Sequence, residues 1–198
     1  MNSARLILSL ACFFLCSIAR AEDPPKSKQL EQLDFPKLTP AAVLALAELE
    51  DDRTKMIPEL KAMYPNAKVY KVSVTFNSSE NGAMEAPEME VTEKWVNGKW
   101  IISEFEMTGF PGDDKRMIMA VTYHKETATF LKYVRVPNVD ETAIMIGKGF
   151  KRERQIDWQG PNMKGTEKHT DTETTWTETI TEDGKVSHTT KGKAVKVE

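Results

Sequence analysis

The sequence predicts a mainly β protein: an antiparallel up-and-down barrel of about eight to ten strands, preceded by a short helical segment. Three observations lead to this fold class. From residue 66 onwards, apolar side chains recur at every second position, which is the period of a strand with one buried face. Turn residues separate these runs at short intervals, and no helical pattern lies between them. Consecutive hairpins of this kind favour a closed up-and-down barrel.

The clearest hairpin covers residues 89–107. Two β-prone runs are joined there by Asn97-Gly98, and both residue types accept the positive φ angles of a two-residue type I′ turn. A longer loop of Gly, Pro and Asp at residues 109–114 leads to the next run. Further turn signals divide the rest of the chain: Asn81-Gly82, Pro137-Asn138, Gly160-Pro161 and Asp183-Gly184.

This pattern predicts about nine strands. The first five alternate clearly, and their predicted inward faces carry Tyr70, Val72, Val74 and Phe76; Met89, Val91 and Trp95; Ile101, Phe105 and Met107; Met117, Met119, Val121 and Tyr123; and Ala128, Phe130, Val134 and Val136. A weaker run covers residues 142–146. The last three predicted strands are 150–158, 172–180 and 185–197.

Residues 1–21 have the pattern of a secretory signal peptide. Arg5 supplies the positive start, residues 6–18 the apolar core, and Ala19-Arg20-Ala21 a cleavage site with small residues. The apolar run is too short for a membrane span, so we expect no transmembrane segment after cleavage behind Ala21. The predicted protein is secreted or periplasmic, and its mature chain begins at Glu22.

Both cysteines of the chain, Cys12 and Cys16, lie in this signal. Cleavage would leave a mature protein with no disulfide and no thiol chemistry. A lipid on one of these cysteines is the weaker alternative, because Cys16 lacks a small residue before it and Cys12 lies too early. Loss of Arg5 and Arg20 from the signal changes the net charge from −3 to −5. This acidic balance argues against nucleic acid as a partner.

Residues 22–65 form a linker with short helices between the signal and the predicted barrel domain, residues 66–198. Thr39-Pro40 has the pattern of an N-cap followed by proline in the first turn, and a segment rich in Ala and Leu follows. A second short helix is predicted from Lys55 to Met63. These helices either cover one end of the barrel or bind a partner.

Short motifs recur along the strand region, from about Val69 to Val195. In chain order they are Glu93 to Glu106, Val121-Thr122-Tyr123, Phe130, Trp158-Gln159-Gly160, Gly165 and Glu182-Asp183-Gly184-Lys185. This pattern resembles a family of bacterial secreted proteins of unknown function that is expected to form lipocalin-like (calycin-type) barrels. The resemblance implies that barrel, a bacterial source and export, and it implies no particular chemistry. The chain departs from the family at Thr122-Tyr123-His124, where members often have Gly-Tyr-Asp.

Motifs for known chemistry are missing from the sequence. It contains no G-x-S-x-G, no H-E-x-x-H, no Walker loop and no C-x-x-C. The three histidines, His124, His169 and His188, have no ligand spacing and are predicted to be exposed. We therefore expect no metal, no cofactor and no catalytic residues.

Charged residues on predicted inward faces are the more informative signal. Glu93 shares a face with Trp95, Glu178 shares one with Trp176, and two arginines share one with Trp158. Inward arginines need a carboxylate, water or a ligand, since charged side chains are rarely buried unpaired. The candidate ligand site consists of Glu93, Trp95, Tyr123, Arg152, Arg154, Trp158 and Trp176. The alternative is that a bulge inverts the register or that these residues lie at the barrel rim.

Three classes of function are compatible with these features. The first is a barrel that binds a small amphipathic molecule, with an anionic end facing Arg152 and Arg154. The second is an envelope interaction protein with a filled barrel, whose helices or exposed Trp100 and Ile102 dock a partner. The third is a hydrolase that uses inward carboxylates and Tyr123; it ranks last because no nucleophile–base pair is recognisable.

Overall fold

The computed structural model describes residues 36–78, 82–107, 113–182 and 184–197. Two helices and eleven strands have the following bounds: α1 Pro40–Ala47, α2 Pro58–Met63, β1 Val69–Ser78, β2 Gly82–Glu85, β3 Met89–Val96, β4 Trp100–Glu106, β5 Arg116–His124, β6 Thr129–Arg135, β7 Ala143–Phe150, β8 Gln155–Gln159, β9 Met163–His169, β10 Glu173–Glu182 and β11 Lys185–Lys196. The predicted signal with its two cysteines lies outside the described residues, as do Asn81, Pro111-Gly112 and Asp183 of the predicted turns.

Ten of these strands form a closed antiparallel barrel. From β3 to β11 each strand pairs with the next, β1 pairs with β3, and β11 returns to pair with β1. The closing ladder runs from Tyr70 opposite Lys196 to Ser78 opposite His188. Strand β2 is an extra short strand beside the end of β1. The prediction of a mainly β, up-and-down barrel is confirmed.

The turn between β3 and β4 has the predicted conformation. Asn97 and Gly98 have φ angles of 52° and 66°, and the Lys99 N–H donates to the Val96 carbonyl at 3.1 Å, as in a type I′ turn. Gly98 has a second role. Its carbonyl accepts from the Ile57 N–H at 2.9 Å, so the turn also holds the segment that precedes α2.

The two helices pack on different parts of the barrel. Helix α1 starts at the predicted cap, where the Thr39 hydroxyl accepts from the Ala42 N–H, and it covers the outer face of β4 to β6. Ile102 lies beneath it and is 1% exposed, so the expectation of an exposed Ile102 is wrong; Trp100 is half-buried. Neither helix in the described ranges is long and apolar enough to cross a membrane.

Helix α2 closes one end of the barrel. Leu60 and Met63 are fully buried and pack with inward side chains of the strands, among them Trp95, Val121 and Phe130. The sequence left open whether the helices cover the barrel or bind a partner. In the structure both helices pack on the barrel. Each one contributes to the core of the same barrel.

The strand assignments differ from the prediction in the last third of the chain. Residues 150–158 are not one strand: β7 ends at Phe150, residues 151–154 form a turn, and β8 begins at Gln155. Strand β9 was not predicted, because its inward positions are mostly small or polar. Both differences bear on the candidate site.

Candidate functional site

The barrel encloses a cavity of about 480 Å³. Inward residues of nearly all the barrel strands line it, together with Tyr64, which follows α2 at the closed end. Cavities of roughly 300–1,000 Å³ are typical of small-molecule sites. The lumen is therefore large enough for a ligand.

Most of the cavity surface is an apolar wall formed by strands β1, β3 to β5, β7, β9 and β10. Its residues are Val72, Val74, Phe76, Met89, Val91, Phe105, Met117, Met119, Ala143, Met145, Met163 and Ile180. Five of these side chains are methionines, which are flexible and polarisable and adapt to ligands of different shape. The wall suits an apolar group without requiring one particular shape.

Polar side chains gather at the end of the cavity that α2 closes. We call Tyr64, Glu93, Lys132, Glu167 and His169 the polar floor; all five line the cavity. Glu93 lies near the end of β3, Lys132 in the middle of β6, and Glu167 and His169 near the end of β9. Because neighbouring strands run antiparallel, these positions meet at one end of the barrel.

The centre of the floor is a buried ion pair. The Lys132 ammonium lies 2.6 Å from Oε2 of Glu167, and it sits 4.4 Å from the centroid of the Trp158 ring. The Trp158 indole N–H donates to the same Glu167 oxygen at 2.9 Å. Burial alone would raise the pKa of Glu167, but Lys132 and His169 outweigh it and hold this pKa well below its ordinary value.

Tyr64 and His169 lie on the other side of Glu167. Their rings are 4.5 Å apart, and Nδ1 of His169 is 2.9 Å from the Thr174 hydroxyl. Nε2 of His169 lies 3.0 Å from Oε1 of Glu167, off the direction of a hydrogen bond. The Tyr64 hydroxyl also approaches Glu167, yet within the described residues this buried hydroxyl makes no hydrogen bond of normal geometry.

Glu93 is the second buried carboxyl of the floor. It is 6% exposed, and one of its oxygens accepts from the Trp95 indole N–H at 3.0 Å. Outside the floor, Arg53 donates to the Glu93 carbonyl at 2.6 Å and stacks 5.4 Å from the Trp95 ring centroid. Burial raises the pKa of Glu93 to about 8, although the Trp95 hydrogen bond and the Arg53 charge oppose this shift.

Glu178 is a third carboxyl in the lumen, above Glu167. It stands opposite Gly165 in the β9–β10 ladder, where a Cβ on Gly165 would come within 2.9 Å of the Glu178 Cγ. The missing side chain leaves room for the carboxylate to lie against β9. Burial raises the pKa of Glu178, and its carboxyl group makes no hydrogen bond or ion pair with another side chain in the described ranges.

The structure brings together only part of the predicted site. Glu93 and Trp176 line the cavity, while the indoles of Trp95 and Trp158 lie behind the floor and donate to its carboxylates. Tyr123 is half-buried and packs on Phe130 outside the cavity lining.

The two arginines do not reach the cavity. Arg152 is exposed in the turn between β7 and β8. Arg154, in the same turn, donates to Asp171 at 2.6 Å. The prediction that both share an inward strand face with Trp158 is wrong, because the turn at residues 151–154 interrupts the alternation.

Sequence reasoning missed several residues of the floor. Lys132 lies between Phe130 and Val134, which are both on the predicted inward face. The two-residue alternation of this strand therefore predicts that Lys132 also points into the lumen. His169 is 4% exposed, so the prediction of exposed histidines is wrong for this one. Glu167 lies on the unpredicted strand, and no local signal marked it. No cluster of three or more His, Cys, Asp or Glu residues suited to a metal occurs in the part of the chain that the structure describes.

The fold and the cavity define the chain as a closed antiparallel β-barrel with a lumen large enough for a small molecule. No protein-family model matches the chain, and no curated protein matches it in sequence.

Proposed function

We propose that this protein is an exported, lipocalin-like barrel of bacterial origin that binds a small amphipathic molecule in its lumen. The observation that carries the proposal is the cavity of about 480 Å³, which has an apolar wall and a polar floor at its closed end. A ligand with one polar end would place that end on the floor. Its apolar part would then extend along the wall toward the loops around Thr142 and Asn162.

Two features favour this function over an interaction protein with a filled barrel. The interior holds a cavity rather than closely packed side chains, and helix α1 covers the apolar patch that a partner would need. Native mass spectrometry of protein purified from its bacterial source tests the proposal. We expect a non-covalent small molecule that denaturation releases; a lumen that stays empty there and accepts no amphiphile in vitro would contradict it.

The export part of the proposal rests on the signal pattern at residues 1–21. N-terminal sequencing of protein from the periplasm or the medium is expected to begin at Glu22. An intact Met1, or a lipid on Cys12 or Cys16, would contradict this part alone.

A hydrolase is the second candidate, because three neighbouring side chains are arranged in the order nucleophile, base and carboxylate. The Thr174 hydroxyl contacts His169, and His169 approaches Glu167. Glu167 is already held by Lys132 and Trp158, which weakens its role toward the imidazole. Thr174→Val should remove any hydrolysis of short-chain esters if this chain is catalytic, whereas activity that survives the substitution would exclude it.

A further inference from the structure

The lumen has an excess of carboxyl side chains over basic ones. Among the described residues that line the cavity, Lys132 is the only lysine or arginine, whereas four carboxyl side chains line it: Glu93, Glu141, Glu167 and Glu178. Lys132 is committed to Glu167 at 2.6 Å and to the face of the Trp158 ring. An anionic ligand would find no unpaired lysine or arginine among these lining residues and would face three further carboxyls.

Two carboxyls of the deep lumen lack a basic partner inside it. Glu93 accepts a hydrogen bond from an indole, and the Arg53 side chain beside it contacts backbone carbonyls and Asn66 from outside the floor. Glu178 faces the cavity with no ion pair in the described ranges. Tyr64, only 6% exposed, also lines the cavity, and its buried hydroxyl has no hydrogen-bond partner among the described residues. A buried hydroxyl left in this state is an available acceptor and donor for a ligand.

We propose that the lumen selects an amphipathic amine, whose ammonium group is held by Glu93 of the polar floor and whose apolar part lies along the methionine-rich wall, with Glu178 above the floor as a second carboxyl that favours a cation in the lumen. This inference rests on the proposed function, because it assumes that the lumen binds an amphiphile. An ammonium group has three N–H donors and no acceptor, which matches carboxylate oxygens and a phenol oxygen. Tyr64, Tyr70 and Trp176 are in the lining, and the face of an aromatic ring attracts a cation and not an anion.

Binding of an amine in this position releases protons. Burial raises the pKa of Glu93 to about 8, so this carboxyl is protonated in an empty lumen at neutral pH. Burial also raises the pKa of Glu178. The charged groups that act on Glu93 are Arg53, Glu167 and Asp51, and the phenols of Tyr64 and Tyr70 also lie close to it. Lys132 and Glu167 act on Glu178. An arriving ammonium favours the ionised carboxylates, so the affinity increases with pH until Glu93 is ionised in the empty protein.

The test compares three probes with the same alkyl chain: decylamine, decanol and decanoate. Isothermal titration calorimetry with the mature protein measures each dissociation constant at several pH values and in two buffers of different ionisation enthalpy. We expect decylamine to bind at least tenfold more tightly than decanoate, with proton release and with affinity increasing as the pH is raised toward about 8. Glu178→Gln and Glu93→Gln should each weaken decylamine binding by about tenfold or more, the loss expected for a charge-assisted hydrogen bond.

The matched control is Glu90→Gln, which removes an exposed carboxylate from the outer face of the same strand as Glu93. It should bind decylamine like the wild type. Binding of decanol or decanoate equal to or tighter than that of decylamine would overturn the selectivity for amines while leaving the lumen as a binding site. Binding of none of the three probes would contradict both this inference and the proposed function. Melting temperatures of all variants, measured in parallel, separate lost binding from lost folding.

Discussion

Glu93→Gln removes one titratable group from the lumen and keeps the shape of its side chain. In the folded protein burial raises the pKa of this carboxyl from 4.5 to about 8, whereas in the unfolded chain it ionises near the ordinary value. Between these two pH values the folded state holds a proton that the unfolded state has lost. The free energy of unfolding of the wild type therefore decreases as the pH rises through this window.

The size of the effect follows from one proton. In the middle of the window the slope is about 1.4 kcal/mol per pH unit, and integration between about pH 5 and about pH 8 gives a loss of about 3.5 kcal/mol. The side chain is 6% exposed, so solvent screens it little. Glutamine does not ionise, and its amide oxygen can still accept from the Trp95 indole. We expect the variant to match the wild type near pH 5 and to be more stable by about this amount above pH 8.

Urea unfolding followed by tryptophan fluorescence, at a series of pH values, measures both curves. The difference between the variant and the wild type isolates Glu93, because the titration of Glu178 and Glu167 is common to both proteins. Glu90→Gln, on the exposed face of the same strand, should leave the curve unchanged. If the curves of the wild type and Glu93→Gln run parallel, the carboxyl is ionised in the folded lumen, and the argument from burial is refuted.

Three further substitutions test the packing of the barrel. Lys132→Met should lower the free energy of unfolding at neutral pH by about 3–5 kcal/mol, because it leaves the Glu167 carboxylate buried and unpaired. Chemical denaturation measures this loss of stability, and the double variant with Glu167→Met is expected to regain the stability of the wild type. Gly98→Val should lower the free energy of unfolding more than Gly184→Val does in the same assay. Both glycines have a positive φ, but only at Gly98 would an added Cβ overlap a neighbouring backbone oxygen, that of Lys55. Gly192→Ala should displace the Trp176 indole that fills the space beside it, since the added Cβ would overlap that ring, and near-ultraviolet circular dichroism that does not change would contradict this packing.

The alternation of the sequence predicted the apolar wall because its strands keep their period without interruption. Val72, Val74 and Phe76 on β1 all line the cavity as the period requires. The hairpin at Asn97-Gly98 was predictable for a similar reason, since the turn residues themselves require its conformation. Local chemistry was sufficient for both features.

The turn between β7 and β8 shows where local chemistry was not sufficient. Arg154 adopts a φ of 47°, a conformation usually left to Gly, Asn or Asp. The segment F-K-R-E-R-Q contains none of these residues, so it cannot be distinguished from a continuous strand. The two arginines were assigned to the lumen for this reason.

The polar floor depends on partners that are distant in sequence. Lys132 reaches Glu167 across 35 residues, and Glu178 lies against the strand that carries Gly165. After Met163, the inward positions of strand β9 are Gly165, Glu167 and His169, and the side chain of Glu178 fills the space beside Gly165. The alternation of residues within β9 alone does not indicate that arrangement.

The ladder between β1 and β11 makes the first and last strands of the barrel depend on each other. Every other junction of the ring joins strands that are close in sequence, so nine strands can form hairpin by hairpin before the ring exists. Closure then waits for the C-terminal strand, and contacts of such long separation slow folding. Removal of β11 would leave β1 and β10 as two long unpaired edges, which are templates for aggregation. The barrel closes around its cavity only when residues 185–196 have paired with β1.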